Sequence, residues 1–170
     1  TLKALRDAIK SRVELAHRFY TLKAKILGTK KLRYYDRSVP IGKIKKQIPF
    51  EKAYEIVRDS FQTIDPEFAE MFVRFFENAQ VDVFPKTGKT SGAYCSPAIG
   101  LPTYILLNHI PDQMSVSTLA HEMGHTIHSE LAKKQPSIYQ NYSIAVAEVA
   151  STLFENFVFE KMYEDASVAE

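Results

Sequence analysis

The sequence has no tryptophan, a single cysteine (Cys95) and only six glycines in 170 residues. One thiol excludes an internal disulfide framework and fits a reducing compartment, so a cytoplasmic location is expected. Long apolar runs are missing too: the longest, such as AVAEVASTLF, are short and broken by charge, so nothing is expected to span a membrane. The opening TLKALRDAIKSRVELAH lacks the continuous apolar core of a secretory signal. Nor is there an excess of one charge. Lys and Arg number 22 against 20 Asp and Glu, with no basic block or basic–aromatic interleaving, which argues against a nucleic-acid partner. Internal repeats and low-complexity tracts are absent.

What is present is ordinary for a globular protein: 45% hydrophobic and 25% charged residues, in a length that can bury a real core. From Leu2 to about Leu27, apolar residues recur at intervals of three and four (Leu5, Ala8, Ile9, Val13, Leu15, Ala16, Phe19, Tyr20), which predicts one long amphipathic helix ended by Gly28. A connector with Pro40 and Pro49 follows, its lysines reading as a solvated face. PFEKAYEIVRDSFQTI and DPEFAEMFVRFFENAQ predict two more helices, the second with Asp65 as N-cap and Pro66 in its first turn. The texture then changes. VDVFP, AYCSP and LPTYILLNHI, separated by the turn cluster KTGKTSG, read as three short extended pieces. Helix returns over about Ser115–Lys134 and Ser143–Asp165, with Pro136 in the link. The expected class is mainly α with one small sheet. Residues 1–170 form a single region: 1–80 a helical wall, 81–110 the sheet and 115–165 a metal-binding helix pair.

The helix STLAHEMGHTIHSEL carries three of the five histidines in an apolar setting. His121 and His125, four residues apart, lie about 40° apart around a helix and one turn apart along it, so both imidazoles can reach one point about 2 Å from each ring. Glu122 projects to the side of that face, awkward as a ligand but close to a metal-bound water. His-Glu-x-x-His thus supplies two ligands and a general base. Hydrolytic zinc normally takes three protein ligands and keeps a fourth position for water. His128 comes too early and points away. The metzincin continuation needs Gly at 128 and His at 131, where this chain has His128 and Leu131. In the next helix Glu148 is the only charged residue between Tyr142 and Glu155. A carboxylate in so apolar a stretch is costly unless it is paired or bound to a cation. A helical hairpin folding at Gln135–Asn141 would return it to the histidines. Glu155, two turns beyond Glu148, either orients one histidine or is an exposed acid. The chemistry expected is metal-assisted amide hydrolysis with one Zn2+, Glu122 taking the proton of the zinc-bound water and delivering it to the leaving amine.

With VDVFPKTGKTSGAYCSP, PTYILLNH, TLAHEMGHTIHSEL and AVAEVASTLFENF in this order, the chain resembles the thimet-oligopeptidase family of zinc metallopeptidases, in its oligoendopeptidase F branch. The likeness is most specific over about Val81–Phe157 and weaker in the first eighty residues. It implies a helical zincin-like catalytic core, His121, His125 and Glu148 as zinc ligands, Glu122 as catalytic base, and short peptides as substrates. It also implies that GKTSGAY offers the main-chain groups of Gly92, Ala93 and Tyr94 to an extended peptide by β-augmentation. Gly88 and Gly92 equally mark a hairpin turn. His109 either approaches the substrate or ends its strand partly exposed. Gly124 weakens the helix by about 1 kcal/mol relative to Ala, and its expected use is to admit a close neighbour. Members of the family are several hundred residues long and carry a later His and tyrosines that stabilise the tetrahedral intermediate. These 170 residues are therefore expected to be part of a larger catalytic domain, partnered by its remainder. The competing readings are a non-catalytic zinc-stabilised peptide-binding module, an inactive fragment, and a helical scaffold without metal. Cys95 is expected to be an inert buried thiol.

Overall fold

The structure, a computed structural model, describes residues 2–39, 41 and 47–167, the side chains of 38 and 165–167 excepted. The chain divides into two compact units, Thr1–Lys45 and Lys46–Glu170. Within the second unit, residues 50–77 pack with the sheet and the last two helices.

In the first unit, α1 spans Leu2–Ile26. It ends as its sequence dictates. Gly28 takes a left-handed φ of +68°, the Thr29 amide donates to the Ala24 carbonyl (3.0 Å) and the Gly28 amide to Lys25 (3.1 Å), the paired bonds of a Schellman cap. The apolar stripe of this helix is exposed: Leu5, Ile9, Val13 and Phe19 all lie on the surface. Periodicity identified the helix but not a buried face, since residues 2–39 supply only a short 3-10 turn, Tyr34–Ser38, beside it. That turn is tied back by Lys23, whose buried side chain donates to the Arg37 carbonyl at 2.6 Å. Pro40 and the connector lysines at 43, 45 and 46 lie outside the described residues.

The second unit holds α2 (Phe50–Ile64), α3 (Pro66–Glu77), three strands, α4 (Gln113–Ala132) and α5 (Ile144–Ser167). Asp65 both ends α2 and caps α3, its carboxylate accepting from the Glu67 amide at 2.8 Å. Asp112 caps α4 through the Ser115 amide at 2.8 Å. The extended pieces condense to β1 (Val81–Asp82), β2 (Tyr94–Ser96) and β3 (Tyr104–Leu106), in the order β1-β3-β2, with β1 parallel and β2 antiparallel to β3. The core lies between α2, α3, α4 and α5 and sets four phenylalanines among aliphatic side chains. Phe61 stands edge-on to Phe72 (5.8 Å) and to Phe154 (4.8 Å), beside buried Leu119, Met123, Ile127 and Val158. Among the described residues no helix is long and apolar enough to cross a membrane. The mainly helical class with one small sheet is as expected.

Candidate metal centre

Residue 124 sets how closely α4 and α5 approach. A Cβ built on Gly124 would fall 2.7 Å from the Ser151 Cα, 3.1 Å from the Ala150 carbonyl oxygen and 3.2 Å from the Phe154 Cβ. The two helix backbones therefore touch here, as only glycine permits. The hairpin that returns α5 to α4 is pinned at its link, where Tyr142 stacks on His128 (4.1 Å, 18°) and shares a 2.8 Å hydrogen bond with Ser129. His128 is thus occupied by the hairpin and takes no part in the histidine cluster.

Beside this contact three side chains converge. The Nε2 of His121 lies 3.4 Å, and that of His125 3.8 Å, from the Glu148 Oε2. These ligand atoms all fall within 4.8 Å of one another. Around a tetrahedral divalent ion with bonds of about 2 Å, neighbouring ligand atoms stand about 3.3 Å apart. The trio needs only a small contraction to reach that spacing. The other ring nitrogen of His121 has a partner of the kind metal-binding imidazoles use. Nδ1 of His121 is 3.1 Å from the Glu155 Oε2. A proton on Nδ1, donated in a hydrogen bond to that carboxylate, would leave the Nε2 lone pair free for the centre. Burial, and then the neighbouring His121, push the His125 pKa down and favour the neutral ring, while the Ala147 backbone acts to raise it. Two imidazoles and a carboxylate form a donor set suited to a divalent first-row metal.

Glu122 is 7% exposed, next to this cluster. Burial raises its pKa, while the neighbouring His121 and the backbone amide of Cys95 oppose the rise. Cys95 belongs to β2, which has β3 on one side only and is the free edge of the sheet among the described residues. The Ile105 amide donates to Gln80 on the β1 side, so the Cys95–Ile105 pair leaves the main-chain groups of Cys95 facing away from β3. Of the three residues expected at this edge, Gly92, Ala93 and Tyr94, the register turns one towards β3. Tyr94 turns its main chain to β3, and the Gly92 carbonyl accepts from the Asn108 side chain at 2.8 Å. Cys95 and, one alternation earlier, Ala93 present the open edge. His109 is also elsewhere than expected. It is 5% exposed, edge-on to the Phe50 ring at 5.3 Å, in the aromatic cluster at the start of α2.

Three residues the sequence did not single out matter here: Cys95 through its amide, Ala147 through its backbone, and Ser151, whose hydroxyl donates to Glu148 at 2.9 Å. The last had a legible signal, since a position three after a helical carboxylate shares its face. The first two depend on strand register and helix contact.

A mainly helical fold in which an HExxH helix and its neighbour bring two imidazoles and a carboxylate together has the build of a helical zincin-like metallopeptidase core. Comparison with known proteins agrees. Residues 1–167 match Peptidase family M3, and the chain belongs to that family. It is 38% identical over 149 residues to Oligopeptidase PepF of Bacillus subtilis, covering 86% of this chain and 22% of that protein. It is 32% identical over 163 residues to an Oligoendopeptidase F homolog of Lactococcus lactis, covering 95% of this chain and 27% of that protein. Among solved structures, a putative peptidase from Chlamydophila abortus superposes with a TM-score of 0.78 at 30% identity, covering 96% of this chain and 28% of that one. A putative oligoendopeptidase F from Bacillus anthracis shares the fold, with a TM-score of 0.79 at 22% identity over 92% of this chain and 30% of that one. The chain spans about a quarter of the length of the curated relatives it matches.

Proposed function

We propose that this chain is the metal-binding part of a zinc-dependent endopeptidase catalytic domain that hydrolyses peptide bonds in short oligopeptides. The observation that carries this reading is the meeting of His121, His125 and Glu148, with Glu155 beside the Nδ1 of His121. A zinc ion held there would polarise the scissile carbonyl and make a water acidic enough to ionise near neutral pH. The remaining steps belong to the protein. Glu122, buried next to the histidines, accepts the water's proton and passes it to the nitrogen of the departing amine. An extended peptide pairs with the free edge of β2 through the outward main-chain groups of Cys95 and Ala93, whatever its side chains. The names of the relatives, oligopeptidase and oligoendopeptidase, support short peptides as the substrate class. The same proposal includes residues 1–170 as one part of a larger domain that supplies the rest of the site, and a cytoplasmic location in keeping with the lone cysteine.

The test is to measure bound zinc and cleavage of a quenched fluorogenic peptide for the protein and for Glu122→Ala and Glu148→Ala. E122A is expected to keep zinc and lose activity, and E148A to lose both. Unchanged turnover in E122A would remove the role given to Glu122. Unchanged zinc affinity in E148A would remove that residue from the ligands.

A further inference from the structure

We infer that Ser151 is a positioning residue for the metal centre, converting the close packing of α4 and α5 into a fixed orientation of the Glu148 carboxylate. The inference rests on the metal reading above. Three observations meet at this side chain. Its residue is fully buried, with no accessible surface, an uncommon place for a serine without a task. Its Cα occupies the point where the two helix backbones touch, 2.7 Å from where a Cβ on residue 124 would stand. Its hydroxyl lies 2.9 Å from the Glu148 Oε2, the same oxygen that faces the Nε2 atoms of His121 and His125.

A hydroxyl in a helix ordinarily donates to a carbonyl one turn back, and the Ser151 Oγ also lies 3.2 Å from the Glu148 carbonyl. That carbonyl already accepts from the Thr152 hydroxyl. The shorter Ser151 contact is to the carboxylate. Glu148 needs such a tether. Its side chain is half-exposed, and unlike the two imidazoles it has several freely rotating bonds to order before it can ligate. His121 has its own anchor in Glu155. Ser151 gives the third ligand the counterpart, from a backbone position that Gly124 fixes against the helix bearing both histidines. Groups that orient a ligand from behind are typically worth ~10–100-fold in metal affinity.

The experiment is zinc competition against a chromophoric chelator, with zinc alone as the probe, on the protein and on Ser151→Ala, Glu148→Ala and the double variant. Metal-free melting temperatures are recorded in parallel. Alanine keeps the Cβ and the close approach of the helices, so S151A is expected to melt within a few degrees of the unsubstituted protein yet bind zinc ~10–100-fold more weakly. In the E148A background the same substitution is expected to change zinc affinity less than about twofold, because the residue through which Ser151 acts is gone. Zinc affinity in S151A within about twofold of the unsubstituted protein would overturn the inference while leaving the metal centre intact. An equal loss in both backgrounds would overturn it too, showing a general packing effect. Failure of the unsubstituted protein to bind zinc would instead overturn the metal centre itself.

Discussion

Gly124→Ala perturbs the site without touching a proposed ligand. The added methyl would lie 2.7 Å from the Ser151 Cα and 3.1 Å from the Ala150 carbonyl, both backbone atoms that cannot swing aside. Carbon atoms in ordinary contact stand about 3.5–4.0 Å apart, so α5 must retreat by ~1 Å at this point. Overpacking of this kind costs about 1–3 kcal/mol. Replacing a mid-helix glycine returns about 1 kcal/mol of helix propensity. The net loss of stability is therefore ~0–2 kcal/mol, and the fold survives. The site suffers more. Glu148 is one turn from Ser151 on the same helix, and its carboxylate moves with it away from imidazoles now 3.4 and 3.8 Å distant. Bonds to a divalent metal tolerate about 0.2 Å of error. Zinc affinity is expected to fall at least tenfold, read by chelator competition, beside a modest change in the urea midpoint. A G124A protein with unaltered zinc affinity would refute the idea that this helix contact places the third ligand.

Four other outcomes are expected. Glu155→Ala removes the Nδ1 partner of His121 and should weaken zinc binding ~10–100-fold by the same competition; an unchanged affinity would make Glu155 an incidental acid. Phe154→Ala empties a buried site between Phe61 (4.8 Å) and Phe68 (5.2 Å) and should cost about 3–5 kcal/mol in urea denaturation. Burial raises the Cys95 thiol to about 11, so at pH 8 only ~0.1% is thiolate, and a disulfide reagent should label the native protein far more slowly than the unfolded one. Burial lowers the His109 pKa. Its neutral ring therefore contributes stability that is complete above about pH 6.5 and is lost as the pH falls from there towards the depressed folded value. His109→Phe should flatten the urea midpoint between pH 7.5 and 5 relative to the unsubstituted protein, and parallel curves would contradict the assignment.

Much of the fold was legible because its signals are local. Apolar residues at intervals of three and four marked all five helices to within two residues or so, and the Asp65 cap and the Gly28 stop are written in single residues. The sheet was legible as three extended pieces but not as an order or register, since strands of two and three residues are fixed by what they pack on rather than by alternation. Which main-chain groups of β2 face away from β3 follows from that register alone. His109 misled for a similar reason: the end of an apolar strand does not reveal that Phe50 and its neighbours fold over it. The exposed stripe of α1 shows the limit of periodicity, which reports a face suited to burial without supplying its cover. The trio His121, His125 and Glu148 was readable because helical geometry converts spacing into direction. Ser151, Ala147 and the Cys95 amide act through contacts between elements, which spacing does not encode.

The most direct measurement of the central claim is X-ray absorption at the zinc edge of the zinc-loaded protein. The account predicts one zinc per chain with two imidazole nitrogens at about 2.0–2.1 Å and carboxylate oxygen completing the protein shell, and a changed spectrum in E148A. A sulfur shell at about 2.3 Å, or a spectrum indifferent to the loss of Glu148, would contradict it.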